Sequence, residues 1–134
     1  MIGESELRIV RPAGITVPRQ LRHALRAFLD VFAFDADFLD DVLLAVGEVL
    51  ANSVEHGYDG GSLRNVEMVA RSGKNGTLAI EVFDEGTFLE RERLPDRGYG
   101  LRIVRAIARK VTIETGQGTR VEMLFDAARL QPAR

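Results

Sequence analysis

The chain has 134 residues, 46% hydrophobic and 28% charged, with a formal net charge of -2. This balance fits one domain, residues 1–134, with a real core; it argues against disorder and against a partner recruited by bulk charge. The absence of cysteine excludes disulfides, thiol catalysis and thiolate metal sites. No leader-like run opens the chain and no segment nears the ~18 apolar residues of a membrane span, so a cytoplasmic protein without membrane contact is expected.

In chain order, Glu6 to Val10 alternates like a short strand and Pro12-Ala13-Gly14 turns the chain. From about Pro18 to Phe32, Leu21, Leu25, Phe28 and Phe32 recur at helical spacing, and Pro18 suits a first turn. A second helix begins near Asp35 or Asp37, either of which could cap it, and stops at Gly57. Its apolar stripe reads Leu39, Leu43, Val46 and Leu50. After a turn at Asp59-Gly60-Gly61-Ser62, Val66, Met68 and Ala70 alternate, as do Leu78, Ile80 and Val82, in the manner of a hairpin that delivers Asp84 at its end. Residues 85–97 are polar and aperiodic and read as a mobile loop. A third helix runs from about Gly100 to Lys110, burying Leu101, Val104 and Ala108 with Ile103 and Ile107 at the margin. Val111 to Thr115 and Thr119 to Phe125 form a last hairpin around Gly116-Gln117-Gly118, and residues 127–134 fray.

This order predicts an α+β fold, a two-layer sandwich of a mixed, mostly antiparallel sheet with three helices on one face. Strands that are not each followed by a helix argue against a doubly wound nucleotide fold. Consistently, Gly98-Tyr99-Gly100 lacks the third glycine of a dinucleotide fingerprint, and no phosphate loop ending in Gly-Lys-Ser/Thr is present.

Three polar residues of the second helix, Glu48, Asn52 and His56, fall four apart and share one sector of its surface, roughly opposite the apolar stripe. Taken alone this is a solvated helix face. Further along stand Asp84-Glu85-Gly86 at a strand end, Gly98-Tyr99-Gly100 before a helix, and Gly118-Thr119 opening a strand. Each has an ordinary reading too: a strand-end turn, a flexible loop, a threonine of good β propensity.

Together, Glu48-x-x-x-Asn52, His56-Gly57-Tyr58, Asp84-x-Gly86, Gly98-x-Gly100-Leu101 and Gly118-Thr119 resemble the ATP-binding boxes of the GHKL superfamily. Within it the chain looks like the small bacterial anti-sigma-factor serine/threonine kinases, of which Asn-x-x-x-His-Gly-Tyr is characteristic, over about residues 5–126. The resemblance implies a Bergerat-type ATP-binding fold with ATP and Mg2+ as cofactors. It assigns Glu48 as the base that deprotonates the attacking hydroxyl, as an aspartate does in protein kinases. Because nucleotide-bound Mg2+ keeps waters and phosphate oxygens, the Asn52 amide oxygen suffices as its protein ligand. Asp84 would accept a hydrogen bond from the exocyclic amine of adenine, which guanine lacks at that position, and Gly86 would let the backbone approach the ring. Gly98, Gly100 and Leu101 would start a helix whose N–H groups attract phosphate, and residues 87–97 would form the ATP lid. Thr119 is similar to the threonine of the family's adenine-binding water network.

Two departures bear on turnover: the lid is short, and Phe88 stands where the family commonly has a second glycine. His56 and His23 are not expected to accept phosphate, since that role belongs to a separate helical domain in histidine kinases. Arginines stripe the first helix at Arg19, Arg22 and Arg26 and the third at Arg102, Arg105 and Arg109, without the aromatics expected of nucleic-acid binding. The resemblance implies two exclusive partners, a sigma factor held inactive and an antagonist of the STAS fold that takes the γ-phosphate, and it allows a homodimer. Two functions are therefore carried forward: a kinase that couples ATP turnover to partner exchange, and a nucleotide-dependent binding module with little or no catalysis that regulates a partner other than a sigma factor.

Overall fold

A computed structural model of the chain describes residues 5–57, 64–73, 76–85 and 98–126, with 54–57 and 98–100 as backbone only. The elements are β1 (Ser5–Pro12), α1 (Val17–Leu29), α2 (Ala36–Gly57), β2 (Asn65–Ser72), β3 (Thr77–Asp84), α3 (Gly98–Ile107), β4 (Lys110–Thr115) and β5 (Thr119–Asp126). The strands form one sheet in the order β1-β2-β3-β5-β4. The α+β two-layer sandwich is as expected, but every neighbouring pair of described strands is antiparallel, so the sheet is not mixed. The reason lies in the last hairpin. The crossover through α3 makes β4 run parallel to β3, yet β5 folds back into the gap between them, so the two parallel strands never touch.

Alternation along each strand separates two faces. Val66, Met68 and Ala70 of β2, Leu78, Ile80 and Val82 of β3, and Val121, Met123 and Phe125 of β5 are buried beneath the helices. The other face carries charges paired across strands. Arg71 Nε contacts Glu6 Oε1 at 3.0 Å, Arg8 Nη1 contacts Glu67 Oε2 at 2.7 Å, and Arg120 Nη1 contacts Glu81 Oε1 at 2.9 Å. The hydrogen bond from Arg71 is the main cause that holds the Glu6 carboxyl below its usual value. Such exposed pairs stabilise little and chiefly keep the open face soluble.

Helix α1 ends at Leu29, short of the expected Phe32, because the chain tightens there: Phe32 N–H donates to the Leu29 carbonyl and Phe34 N–H to that of Phe32. The turn is filled by rings. Phe28–Phe32, Phe32–Phe34 and Phe34–Phe38 lie 5.4, 5.4 and 5.3 Å apart, and Phe38 meets Phe125 of β5 edge-on at 6.4 Å. The side chains of Leu21, Leu25 and Leu29 lock α1 into the same core.

Arg22 of α1 lies across Gly47 of α2; a Cβ at Gly47 would sit 3.1 Å from Arg22 Nη1 and 3.6 Å from its Cδ. The neighbour is the far end of a flexible side chain, so it can give way. Gly47→Ala is therefore expected to raise the free energy of unfolding by about 0.5–1 kcal/mol, the helix-interior difference between the two residues. Urea denaturation reads this directly, and a loss of stability instead would mean that Arg22 is pinned where it lies.

Candidate functional site

Helix α2 buries Leu39, Val42, Ala45, Val46, Val49, Leu50 and Ser53, a wider face than the expected stripe, while Leu43 is only half-buried. The extra width comes from α3, which packs on one flank of α2 while α1 packs on the other. This corrects the expectation for Glu48 and Asn52. They do not face away from the core but are half-buried at its edge, Asn52 about 60° round the helix from Val49. The backbone of His56 lies within α2, and its side chain falls outside the described residues.

Across from this flank, Asp84 is the last residue of β3 and Thr119 the first of β5, and the two are register partners. Both are 1% exposed, with side chains on the helix-covered face. Thr119 Oγ1 is buried without a hydrogen-bond partner among the described residues. A buried hydroxyl in that state costs about 1–3 kcal/mol unless something satisfies it. Val49, Asn52, Ser53, Asp84, Leu101, Thr119 and Val121 line one cavity of about 10 Å³, counted as room for the centre of a water molecule. The structure thus gathers four of the expected residues, Asn52, Asp84, Leu101 and Thr119, around one space. Glu48 does not line it but stands one turn from Asn52.

Helix α3 begins at Gly98, two residues earlier than expected, so Gly98 and Gly100 lie in its first turn. The first N–H groups of a helix have no intrahelical partner and carry the positive end of its dipole. Leu101 is half-buried instead of fully buried because it borders the cavity. Gly86, Tyr58, Phe88 and residues 87–97, expected to form a lid, lie outside the described residues.

Two contributors escaped the sequence reading. Ser53 sits on the apolar face of α2 at 2% exposure, and its only sequence signal is a hydroxyl four residues after Val49 in an otherwise apolar row. Glu85 ties down the end of β3: its Oε1 accepts the Asn65 N–H at 2.9 Å, while Arg64 Nη1 donates to its carbonyl at 2.7 Å. Ala13 N–H in turn donates to the Arg64 carbonyl at 2.6 Å. No periodicity announces such a knot, because it joins three loops distant in sequence.

The donor set fits an adenine nucleotide at its edge, not inside. The cavity holds about one water and is too small for a purine ring, and the polar groups at its wall, the Asp84 carboxylate and the Thr119 hydroxyl, are of the types that an adenine edge could engage from outside it. Among the described residues there is no group of three or more metal-binding His, Asp or Glu side chains. A cation at Asn52 would rest mainly on phosphate oxygens and water. A larger hollow of about 290 Å³ opens on the other face of the sheet between Phe83, Glu114 and Arg120, and none of the expected site residues lines it. No helix among the described residues is long and apolar enough to cross a membrane.

Comparison with known proteins agrees with this fold. A family model described as a histidine kinase-like ATPase domain matches residues 12–125. The structure of the RsbU and RsbW domains of Rv1364c from Mycobacterium tuberculosis is similar at 27% identity and a TM-score of 0.76, over 97% of this chain and 34% of that one. The chain therefore spans about a third of that protein. The SiaB–SiaC complex from Pseudomonas aeruginosa matches at 13% identity and a TM-score of 0.71, over 89% of this chain and 88% of that one. The histidine kinase domain of a blue-light activated kinase from Erythrobacter litoralis EL346 matches at 17% and 0.59, over 86% of this chain and 61% of that one. These last two share the fold.

The Asp84–Thr119 pairing depends on Gly118. A Cβ there would collide with the Asp84 carbonyl oxygen and come 3.0 Å from the Phe83 ring, itself capped by Arg120 at 5.0 Å. Backbone cannot move aside as a side-chain tip can, so Gly118→Ala is expected to cost about 1–3 kcal/mol of stability in denaturant unfolding. An unchanged midpoint would show that the turn tolerates the methyl group.

Proposed function

The chain belongs to the histidine kinase-like ATPase domain family, and on that premise we propose that it is an ATP-dependent protein serine/threonine kinase of the anti-sigma type. It holds a sigma factor inactive and transfers the γ-phosphate of ATP to a serine or threonine of a STAS-fold antagonist. The observation that carries this reading is the convergence of Asn52, Asp84, Leu101 and Thr119 on one space, with Glu48 a turn away on the same half-buried flank of α2.

Each residue then has a defined task. Asp84 accepts from the adenine amine, Gly86 gives the ring room, Thr119 bridges through water, and the N–H groups at Gly98, Gly100 and Leu101 bind phosphate oxygens. Asn52 would hold Mg2+ through its amide oxygen, and the ion would supply positive charge to offset that of the phosphates. The acceptor hydroxyl attacks the γ-phosphorus, its proton passes to the Glu48 carboxylate, and the bond to the β,γ-bridging oxygen breaks as ADP leaves. Once phosphorylated, the antagonist carries about two negative charges in a surface that already contains Glu48, so it dissociates and the sigma factor is recaptured. The second reading, a binding module with little or no catalysis that regulates another partner, is favoured by Phe88 at a position where glycine is usual.

Calorimetry with ATP and GTP, with and without Mg2+, followed by a γ-phosphate transfer assay on STAS proteins, separates the two. Mg2+-dependent, adenine-selective binding with transfer supports the kinase; binding without transfer supports the module. Glu48→Ala is expected to lower transfer by about 10²-fold or more while ATP affinity stays within about threefold. Equal loss of both would remove Glu48 from the role of base. Asp84→Asn is expected to weaken ATP at least about tenfold, the cost of a hydrogen bond to a charged acceptor. Unchanged affinity would take Asp84 out of the pocket.

A further inference from the structure

We propose that Arg64 is a positioning residue for base recognition: by donating to the Glu85 carbonyl it fixes the chain just where the adenine-binding Asp84 ends β3. This rests on the ATP-binding reading and adds to it a residue that acts through Asp84 and that neither the motifs nor the family resemblance singles out.

Asp84 is held by backbone pairing on both sides, to Val66 of β2 and to Thr119 of β5, but both ladders stop there. The last residue of a strand is ordinarily its least constrained, because no ladder bond fixes the peptide that follows it. Here side chains take over. One step further along the β2–β3 register Asn65 stands opposite Glu85, and the Asn65 N–H donates to the Glu85 carboxylate, to Oε1 at 2.9 Å. The Glu85 carbonyl in turn accepts from Arg64 Nη1 at 2.7 Å. The two bonds close a ring between neighbours at the start of β2 and a single residue beyond the end of β3.

The base of this clasp is itself fixed. The peptide that joins Arg64 to Asn65 is held on both edges: its carbonyl accepts the Ala13 N–H at 2.6 Å, and its N–H is the one given to Glu85. Arg64 is half-buried and its donor is charged, which makes its hydrogen bond stronger than one between neutral groups. Glu85 is exposed, so packing does little to hold it and the clasp carries that task. With the Glu85 carbonyl fixed, the torsions between it and Asp84 have little freedom, and the buried Asp84 carboxylate is aimed at one place. Hydrogen bonds weaken steeply with misalignment, so a frayed strand end loses the adenine amine first. The phosphate-binding segment opens a different element, α3, and is spared.

The test measures calorimetric binding of ATP and of purine riboside triphosphate, which lacks the exocyclic amine, to the wild type, Arg64→Met and Arg64→Lys. Methionine keeps much of the stem and removes the donors; lysine keeps a charged donor. Arg64→Met is expected to weaken ATP about threefold to tenfold, one hydrogen bond's worth, while the analogue changes by less than about twofold. Arg64→Lys should recover most of the lost ATP affinity. In an Asp84→Ala background Arg64→Met should change ATP binding by less than about twofold, because the group it positions is gone. Should Arg64→Met not fold, Arg64→Gln, which lacks the charge and the reach, carries the same expectations. Equal weakening of both nucleotides overturns the proposal whether or not the melting temperature falls, because that pattern belongs to a structural or a phosphate-contacting residue. Unchanged ATP affinity, or a full additional loss in the Asp84→Ala background, overturns it as well. Failure of the wild type to bind either nucleotide would instead remove the ATP-binding reading, and the positioning role with it.

Discussion

Everything at the site depends on α2 being gripped from three sides. The sheet takes Val42, Val46 and Leu50 from below, α1 closes one flank and α3 the other. A helix in that position has only a narrow exposed sector left, and the residues at its border are neither core nor surface. Glu48 and Asn52 stand on that border, where a polar side chain is partly dehydrated yet still within reach of a ligand. Electrostatic interactions gain strength in such a setting, and little reorganisation is needed when a charged group arrives.

The second constraint is the two-residue period of the sheet. Asp84 and Thr119 point toward the helices, while their neighbours Phe83 and Arg120 stack on the outer face at 5.0 Å. A slip of one residue in the β3–β5 register would exchange the pairs, putting a carboxylate in solvent and an aromatic ring in the cavity. Register is held by the burial of Leu78, Ile80 and Val82 against Phe125, Met123 and Val121. Core packing thus sets the position of polar groups that contribute nothing to it. The knot of Ala13, Arg64, Asn65 and Glu85 anchors the end of β3, so that the aspartate sits on a fixed strand end.

The site also carries a cost. A buried threonine oxygen with no partner in the described structure and a serine on a helix's apolar face lower stability where packing alone would favour valine or alanine. The aromatic chain from Phe28 to Phe125 and the leucines of α1 offset that cost at the other end of the helix layer, away from the cavity. Tight aromatic and aliphatic packing is thus concentrated at one end of the helix layer and the buried polar residues at the other.

Much of the fold was legible in the residues. The alternation of Val66, Met68 and Ala70 and of Leu78, Ile80 and Val82, and the helical spacing of Leu21 and Leu25, located the elements because each burial pattern is local. The site motifs were legible as well, since Glu48 and Asn52 are one helical turn apart whatever surrounds them. Their burial was not, because it depends on α3, more than forty residues further along. The same holds for the wholly antiparallel pairing, which follows from β5 entering between β3 and β4, and for the start of α3 at Gly98. Ser53, Asp84 and Thr119 meet only through tertiary packing, and no sequence spacing encodes a cavity about one water wide. The sequence by itself determined which residues lie on each face of each element, because side-chain direction follows the local backbone period. Only the tertiary structure decided which faces meet, because that is settled by the shape and volume of side chains brought together from distant parts of the chain.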